Sequence, residues 1–210
     1  MPVQRPKATL IDQKGILMPL PIRLMGVLVL CTLLGLFSLR SQPAAKRPQQ
    51  NGEVRAKYLI TTTDDFIVSV YHNGKHVPDS KRVLENEIFG ATVERINIDI
   101  HKGDWIVFNV VNNRLRWGGS AFFGVAGCFT NNEFGFVSNL EDGNWSACDS
   151  PANVDAFISD STYLRHRPVH RPVVVWDQGI ARMKDHAGDR WNGDVIWGNA
   201  HNTWIKVNVE

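Results

Sequence analysis

Asp64-Asp65 is the chain's most compact chemical possibility, because adjacent carboxylates at the mouth of a strand can offer hard oxygen ligands to a cation. A structural calcium ion is the one cofactor this raises, with Asp64 and Asp65 as its candidate ligands. Acid–base catalysis is poorly served by the pair, since strand neighbours point to opposite faces while cooperating carboxylates must face one bond. The competing reading is a turn in which one aspartate accepts backbone N–H groups. His72 and His76 have the spacing of a helical zinc pair, but Asn73-Gly74 between them marks a two-residue hairpin. Tyr71 should then face His76 and His72 face Lys75, leaving the histidines diagonal. His166 and His170 repeat the spacing around Pro168, in a loop suited to a solvated basic surface, a metal or an anionic glycan.

The segment "NNRLRWGG" collects Asn112, Asn113, Arg114, Arg116 and Trp117. Sugar rings present apolar C–H faces to aromatic planes, and their hydroxyls pair with planar amides and guanidinium groups. These five residues are therefore the candidate ligand-binding set, against a plain hairpin loop with Trp117 tucked into a sheet edge. Trp145, Trp191 and Trp197 read as core or loop-packing residues. Nothing supports nucleophilic catalysis: there is no G-x-S-x-G elbow, phosphate-cradling glycine loop or HExxH helix. The reading is of a protein that is not an enzyme.

The elements that must position these residues are mainly strands. Phe66, Val68 and Val70 alternate with Ile67, Ser69 and Tyr71; Ile96, Ile98 and Ile100 alternate with Asn97 and Asp99; "HKGD" turns into "WIVFNVV"; and Ile205, Val207 and Val209 alternate with Trp204, Lys206 and Asn208. Period-two patterning between turn residues predicts an all-β sandwich. One helix is expected in "WDQGIARMKDHAG", starting at Asp177 and stopping at Gly188.

Composition is that of a globular chain, with 43% hydrophobic and 21% charged residues and a net charge of +2. No nucleic-acid signature accompanies it. The apolar run 24–39, between Arg23 and Arg40, reads as a signal anchor or a signal-peptide h-region. Basic residues on both sides leave its orientation open. The expected organisation is a basic segment 1–23, the hydrophobic helix 24–39, a polar linker 40–57 and a β-sandwich domain 58–210. Cys128 and Cys148 are the cysteines beyond the apolar run. A bridge between them would close a loop of about 20 residues and stabilise by roughly 3 kcal/mol; the competing reading is two unpaired buried cysteines. Asn144 opens an "NWS" sequon that matters only in a eukaryotic host. Both features suit a location outside the cytoplasm, membrane-anchored or secreted.

Taken in order, "TTTDDFIVSVYHNGK", "INIDIHKGDWIVFNVVN", "SAFFGVAG", "NWSAC" and "WNGDVIWGNAHNTWIKVNV" resemble successive segments of galactose-binding-like jelly-roll domains, including carbohydrate-binding modules. The resemblance covers about residues 58–209. It implies a jelly-roll sandwich used for glycan attachment, protein contact or structural packing. Two departures stand out: Ile205-Lys206 replaces an aromatic-Arg pair, and the "VPDSKRVLENEIFG" insertion and the His-rich loop have no counterpart. The expected function is non-catalytic glycan recognition through loops at one end of the sandwich. The alternative is a structural or protein-interaction domain of a surface assembly.

Overall fold

Strands form where the apolar alternation runs uninterrupted, and the departures from it shape the molecule's surface. The computed structural model describes residues 52–88, 91–112, 121–171 and 178–210. The hydrophobic segment 24–39 and the ligand candidates Asn113, Arg114, Arg116 and Trp117 lie outside the described residues. The described strands are β1 (Val54–Ala56), β2 (Tyr58–Thr63), β3 (Phe66–His72), β4 (Lys75–His76), β5 (Arg82–Ile88), β6 (Ala91–Ile96), β7 (Ile100–His101), β8 (Trp105–Val111), β9 (Phe123–Cys128), β10 (Phe134–Val137), β11 (Trp145–Cys148) and β12 (Asn202–Asn208). Two helices, α1 (Val154–Ser159) and α2 (Gln178–Ala187), interrupt them.

The fold is all-β. One antiparallel sheet has the order β10-β9-β2-β6-β5, a second has the order β11-β12-β8-β3-β4, and β1 pairs with β7 alone. The two five-stranded sheets share one apolar core: Leu59, Ile96, Phe123 and Val125 from the first meet Val70, Ile106, Phe108, Ile205 and Val207 from the second. The Phe108 and Phe123 rings meet across the sheets at 5.0 Å between centroids, within the range where tilted aromatic pairs attract. Trp145 and Trp197 complete this core, and both are buried as their size demands.

Each sheet also has a covered outer face. On the first, Met183 of α2 packs with Ile60, Val93, Ala126 and Trp191. Gly188, at φ +107, ends α2 in a conformation that side-chain-bearing residues avoid. On the second, Phe157 of α1 packs with Val107 and Cys148. This arrangement overturns the expected disulfide. Cys128 and Cys148 are free and buried, on the outer faces of different sheets in separate apolar clusters. Their strand positions aim both thiols away from the shared core, so no bridge forms.

Other expectations need correcting. The first strand, β1, begins inside the stretch expected to be linker. The Ile96–Ile100 alternation is not one strand: β6 ends at Ile96 and β7 starts at Ile100. In β3 a bulge between Ile67 and Ser69 breaks the alternation. Ile67 and Val70 enter the core, whereas Phe66 and Val68 remain 50% and 47% exposed. A bulge shifts the face a strand presents, and neither residue composition nor spacing marks it here. The hairpin itself follows expectation, with Asn73 and Gly74 at φ 51 and 75 and the pairs Tyr71–His76 and His72–Lys75.

Candidate functional site

The second sheet stops short beside β3. Among the described residues β4 pairs with β3 only at Tyr71 and His72, and the following Pro78, which has no N–H to donate, precedes a 3₁₀ turn over Asp79–Lys81. The first sheet continues. In it Arg82 lies opposite Ile96, Leu84 opposite Glu94, and Glu87 opposite Thr92. Opposed residues share a face, and Ile96 belongs to the inter-sheet core. Arg82, Leu84, Glu87, Thr92 and Glu94 therefore point towards the inter-sheet side, yet Leu84 is 53% exposed. The result is an open groove of about 520 Å³, with Phe66 and Val68 on one lip, Leu84 and Glu87 on the other, Asp79 at the turn and Arg82, Thr92 and Glu94 lining the space between.

Its floor is a planar ion pair. Arg82 donates from Nε to Glu94 Oε2 and from Nη2 to Glu94 Oε1, both at 2.9 Å. The same Nη2 donates to the Ile67 carbonyl at 2.6 Å, which ties the first sheet to the second. Nη1 lies 3.4 Å from the Val68 carbonyl and 3.7 Å from Asp79 Oδ1. Burial raises the Glu94 carboxyl above its usual range, and the Arg82 guanidinium opposes that rise. A bidentate guanidinium–carboxylate contact is both strong and geometrically fixed, so this floor is preorganised. Thr92 is 8% exposed, and its hydroxyl oxygen has no hydrogen-bond partner.

Elsewhere, those expected site residues that are described make contacts within the fold. Asn112 is buried and donates from Nδ2 to Asp64 Oδ2 at 2.7 Å; its backbone N–H donates to the His201 carbonyl. Asp65 holds the turn at φ 66. Among the described residues no group of three or more His, Cys, Asp or Glu converges as a metal site. Burial, with the neighbouring Asp65 charge, pushes the Asp64 carboxyl up to about 7. An unfolded aspartate releases its proton near 3.9, so between about pH 4 and 7 the folded state holds the extra proton. Stability contributed by Asp64 is accordingly lost as pH rises through that window. Asp64→Asn is expected to raise unfolding stability by about 1–2 kcal/mol near pH 8 and to change little near pH 4, as read by urea titration.

The histidines are engaged locally. His72 Nε2 lies 2.9 Å from Asp104 Oδ2, and Asp104 also accepts from Asn73 Nδ2 and the His101 N–H. Although burial opposes it, these contacts hold the Asp104 carboxyl down at about 2. His166 Nε2 lies 2.7 Å from Asp149 Oδ2, and its Nδ1 lies 2.9 Å from the Arg167 carbonyl. His170 is exposed across the buried Pro168. Asn144, of the sequon, donates its backbone N–H to Asp142 Oδ1.

Sequence reasoning missed the groove. One visible signal was the insertion "VPDSKRVLENEIFG", which supplies Asp79, Arg82, Leu84 and Glu87. Comparison of the chain with family models, with curated proteins and with solved structures finds no match in any of the three.

Proposed function

We propose that the sandwich is a non-catalytic recognition module of galactose-binding-like jelly-roll type, acting outside the cytoplasm, and that the β3–β5 groove takes a glycan. One observation carries this reading: an exposed aromatic ring, Phe66, stands on the lip of an open groove lined by fixed planar polar groups. A pyranose offers matching chemistry, with C–H faces for Phe66, Val68 and Leu84 and hydroxyls for Asp79 and Glu87. The site lies along the sandwich margin, where Phe66 is paired with Val111.

The alternative is protein docking by strand addition to an exposed sheet edge. Val83 and Leu84 are exposed on edge strand β5 and give that reading some footing. Both open margins are blunted, however. Each carries a bulge, between Ile67 and Ser69 in β3 and between Leu84 and Asn86 in β5, and Arg82 occupies the Ile67 carbonyl. Bulges and charges are the devices that discourage edge pairing, so side-chain recognition is favoured over backbone pairing. Engagement of both His166 ring nitrogens supports the non-catalytic part of the reading. Residues 24–39 would hold the module at a membrane or direct its export. Among the described residues no helix is long and apolar enough to cross a membrane.

A glycan-array screen of the full-length protein, with and without Ca²⁺, tests the proposal. Glycan binding is the expected result, and silence across the array would favour the protein-docking alternative. Calcium dependence lost in Asp64→Asn would identify Asp64-Asp65 as a structural ion site.

A further inference from the structure

The chain has three Asn-Gly steps, and the structure treats the two it describes in opposite ways. Glycine has no Cβ to shield its backbone nitrogen, so that nitrogen can reach the side-chain carbon of a preceding asparagine that is free to turn. At Asn73-Gly74 the asparagine is not free. Asn73 Nδ2 donates to Asp104 Oδ1 at 2.6 Å, its Oδ1 accepts the Trp105 N–H at 2.9 Å, and the residue is fixed in the hairpin at φ 51. Asn51, of the third step, lies outside the described residues.

Asn192-Gly193 is the reverse case. Asn192 is exposed, and its side-chain amide makes no hydrogen bond among the described residues. No backbone carbonyl among them accepts the Gly193 N–H. The residues on either side are anchored. Trp191 is buried, with its Nε1 3.4 Å from the Val125 carbonyl. Asp194 donates its N–H to the Ser138 carbonyl at 2.7 Å, accepts the Leu140 N–H at 2.9 Å on Oδ2, and accepts the Ser138 hydroxyl at 2.7 Å on its own carbonyl. A Cβ on Gly193 would stand 2.7 Å from the Ser138 carbonyl oxygen and 2.8 Å from the Trp191 ring. A reactive side chain thus hangs free between two anchors, beside a glycine with no room for added atoms.

We infer that Asn192 is a self-modification site, converting spontaneously to aspartate and isoaspartate. The Gly193 nitrogen, losing its proton, attacks Asn192 Cγ. The N–Cγ bond forms, the Cγ–Nδ2 bond breaks, and ammonia leaves with that proton. Water then opens the succinimide at either carbonyl, so the net exchange is one water gained for one ammonia lost. Opening at one carbonyl gives aspartate on the native backbone. Opening at the other gives isoaspartate, whose main chain runs through Cβ and is one methylene longer between the Trp191 and Asp194 anchors. That form strains the clamp that holds Trp191 among Ile60, Ala126 and Met183.

The full-length protein is aged in mildly alkaline buffer, folded and in urea, and conversion at Asn73 and Asn192 is read by peptide mass mapping. Folded, Asn192 is expected to convert at least about tenfold faster than Asn73, whose reaction must wait for the hairpin to open. In urea the two steps, being the same dipeptide, should converge. The aged folded protein should melt about 3 °C lower. Asn192→Gln, whose longer side chain closes its ring far more slowly, should keep its melting temperature through the same ageing. Equal rates in the folded protein, or conversion at Asn192 in urea alone, would overturn the assignment. Conversion at Asn192 with an unchanged melting temperature would overturn the strain on the clamp.

Discussion

Arg82→Ala is expected to destabilise the protein by about 3–5 kcal/mol near neutral pH, the usual penalty for stripping a buried charge of its partner. The side chains of Arg82 and Glu94 are only 11% and 10% exposed. Truncation would leave the Glu94 carboxylate facing Thr92 and apolar neighbours, and would remove the donor to the Ile67 carbonyl that links the sheets. The penalty carries a pH signature. Burial already raises the Glu94 carboxyl, and Arg82 is the chief influence lowering it. Without Arg82 the folded state takes up a proton more readily than an unfolded glutamate does. The deficit should therefore be largest above that raised pKa and shrink as pH falls towards the ordinary glutamate range, about 4.3. Arg82→Met combined with Glu94→Gln should recover much of the loss, because no unpaired charge remains. Urea titrations at two pH values check this; a loss below about 1 kcal/mol would show that the pair is solvated and the floor is not fixed.

Lys206→Ala should cost about 3 kcal/mol, or roughly 10 °C in melting temperature for a domain of this size. Lys206 is fully buried in β12 on the sheet's outer face. Its Nζ donates to the Asp160 carbonyl at 2.8 Å and the Tyr163 carbonyl at 2.9 Å, and lies 4.2 Å from the centre of the Phe157 ring. It thus fastens the segment after α1 to the second sheet. Removal takes a donor from the Tyr163 carbonyl, leaves the Asp160 carbonyl with the Tyr163 N–H at 3.2 Å, and opens a cavity beside Phe157. Lys206→Met, which keeps the volume, should cost less, and the difference measures the cavity. Burial lowers the ammonium to about 8, with the Asp160 charge opposing the shift. An unfolded lysine holds its proton up to about 10.4. Between those values the unfolded state carries the extra proton, so wild-type stability gains as pH rises through the window. The neutral amine still has two N–H groups for its two carbonyls. Accordingly, the gap between wild type and Lys206→Met should widen from pH 7 to about pH 10. Faster amide exchange confined to residues around Asp160 would be the local signature.

The strand content was legible because period-two patterns survive in β8 and β12 over whole elements. Trp105–Val111 and Asn202–Asn208 form in full register, opposite one another. The hairpin at Asn73-Gly74 was equally legible from its backbone requirements. Lys206 shows the limit of that reading. Alternation placed it outward, which is right, but a sequence does not say what covers an outer face; here the covering elements include α1, a helix of six residues too short to show a helical period. The cysteines fail for the same reason. Their loop length suited a bridge, whereas alternation in β9 and β11 sends the thiols to the outer sides of different sheets.

The groove was illegible for a different reason. It arises from the shortness of β4 and from a bulge at Val68, and neither leaves a mark in composition. Phe66 reads as a core residue by alternation, and only the register slip between Ile67 and Ser69 exposes it. Thr92 and Glu94 lie in an alternating strand whose inward face should be apolar. Polar residues at such positions are the signal that could have pointed to a functional margin.

The central claim is that this margin, rather than a loop end, is where a ligand is held. Phe66→Ala tests it most directly, because a half-exposed ring can be removed at little cost to the fold, about 0.5 kcal/mol. Measured against a glycan that the wild-type protein binds, the variant is expected to lose at least about tenfold in affinity while its melting temperature is nearly unchanged. Undiminished affinity in Phe66→Ala would contradict the account.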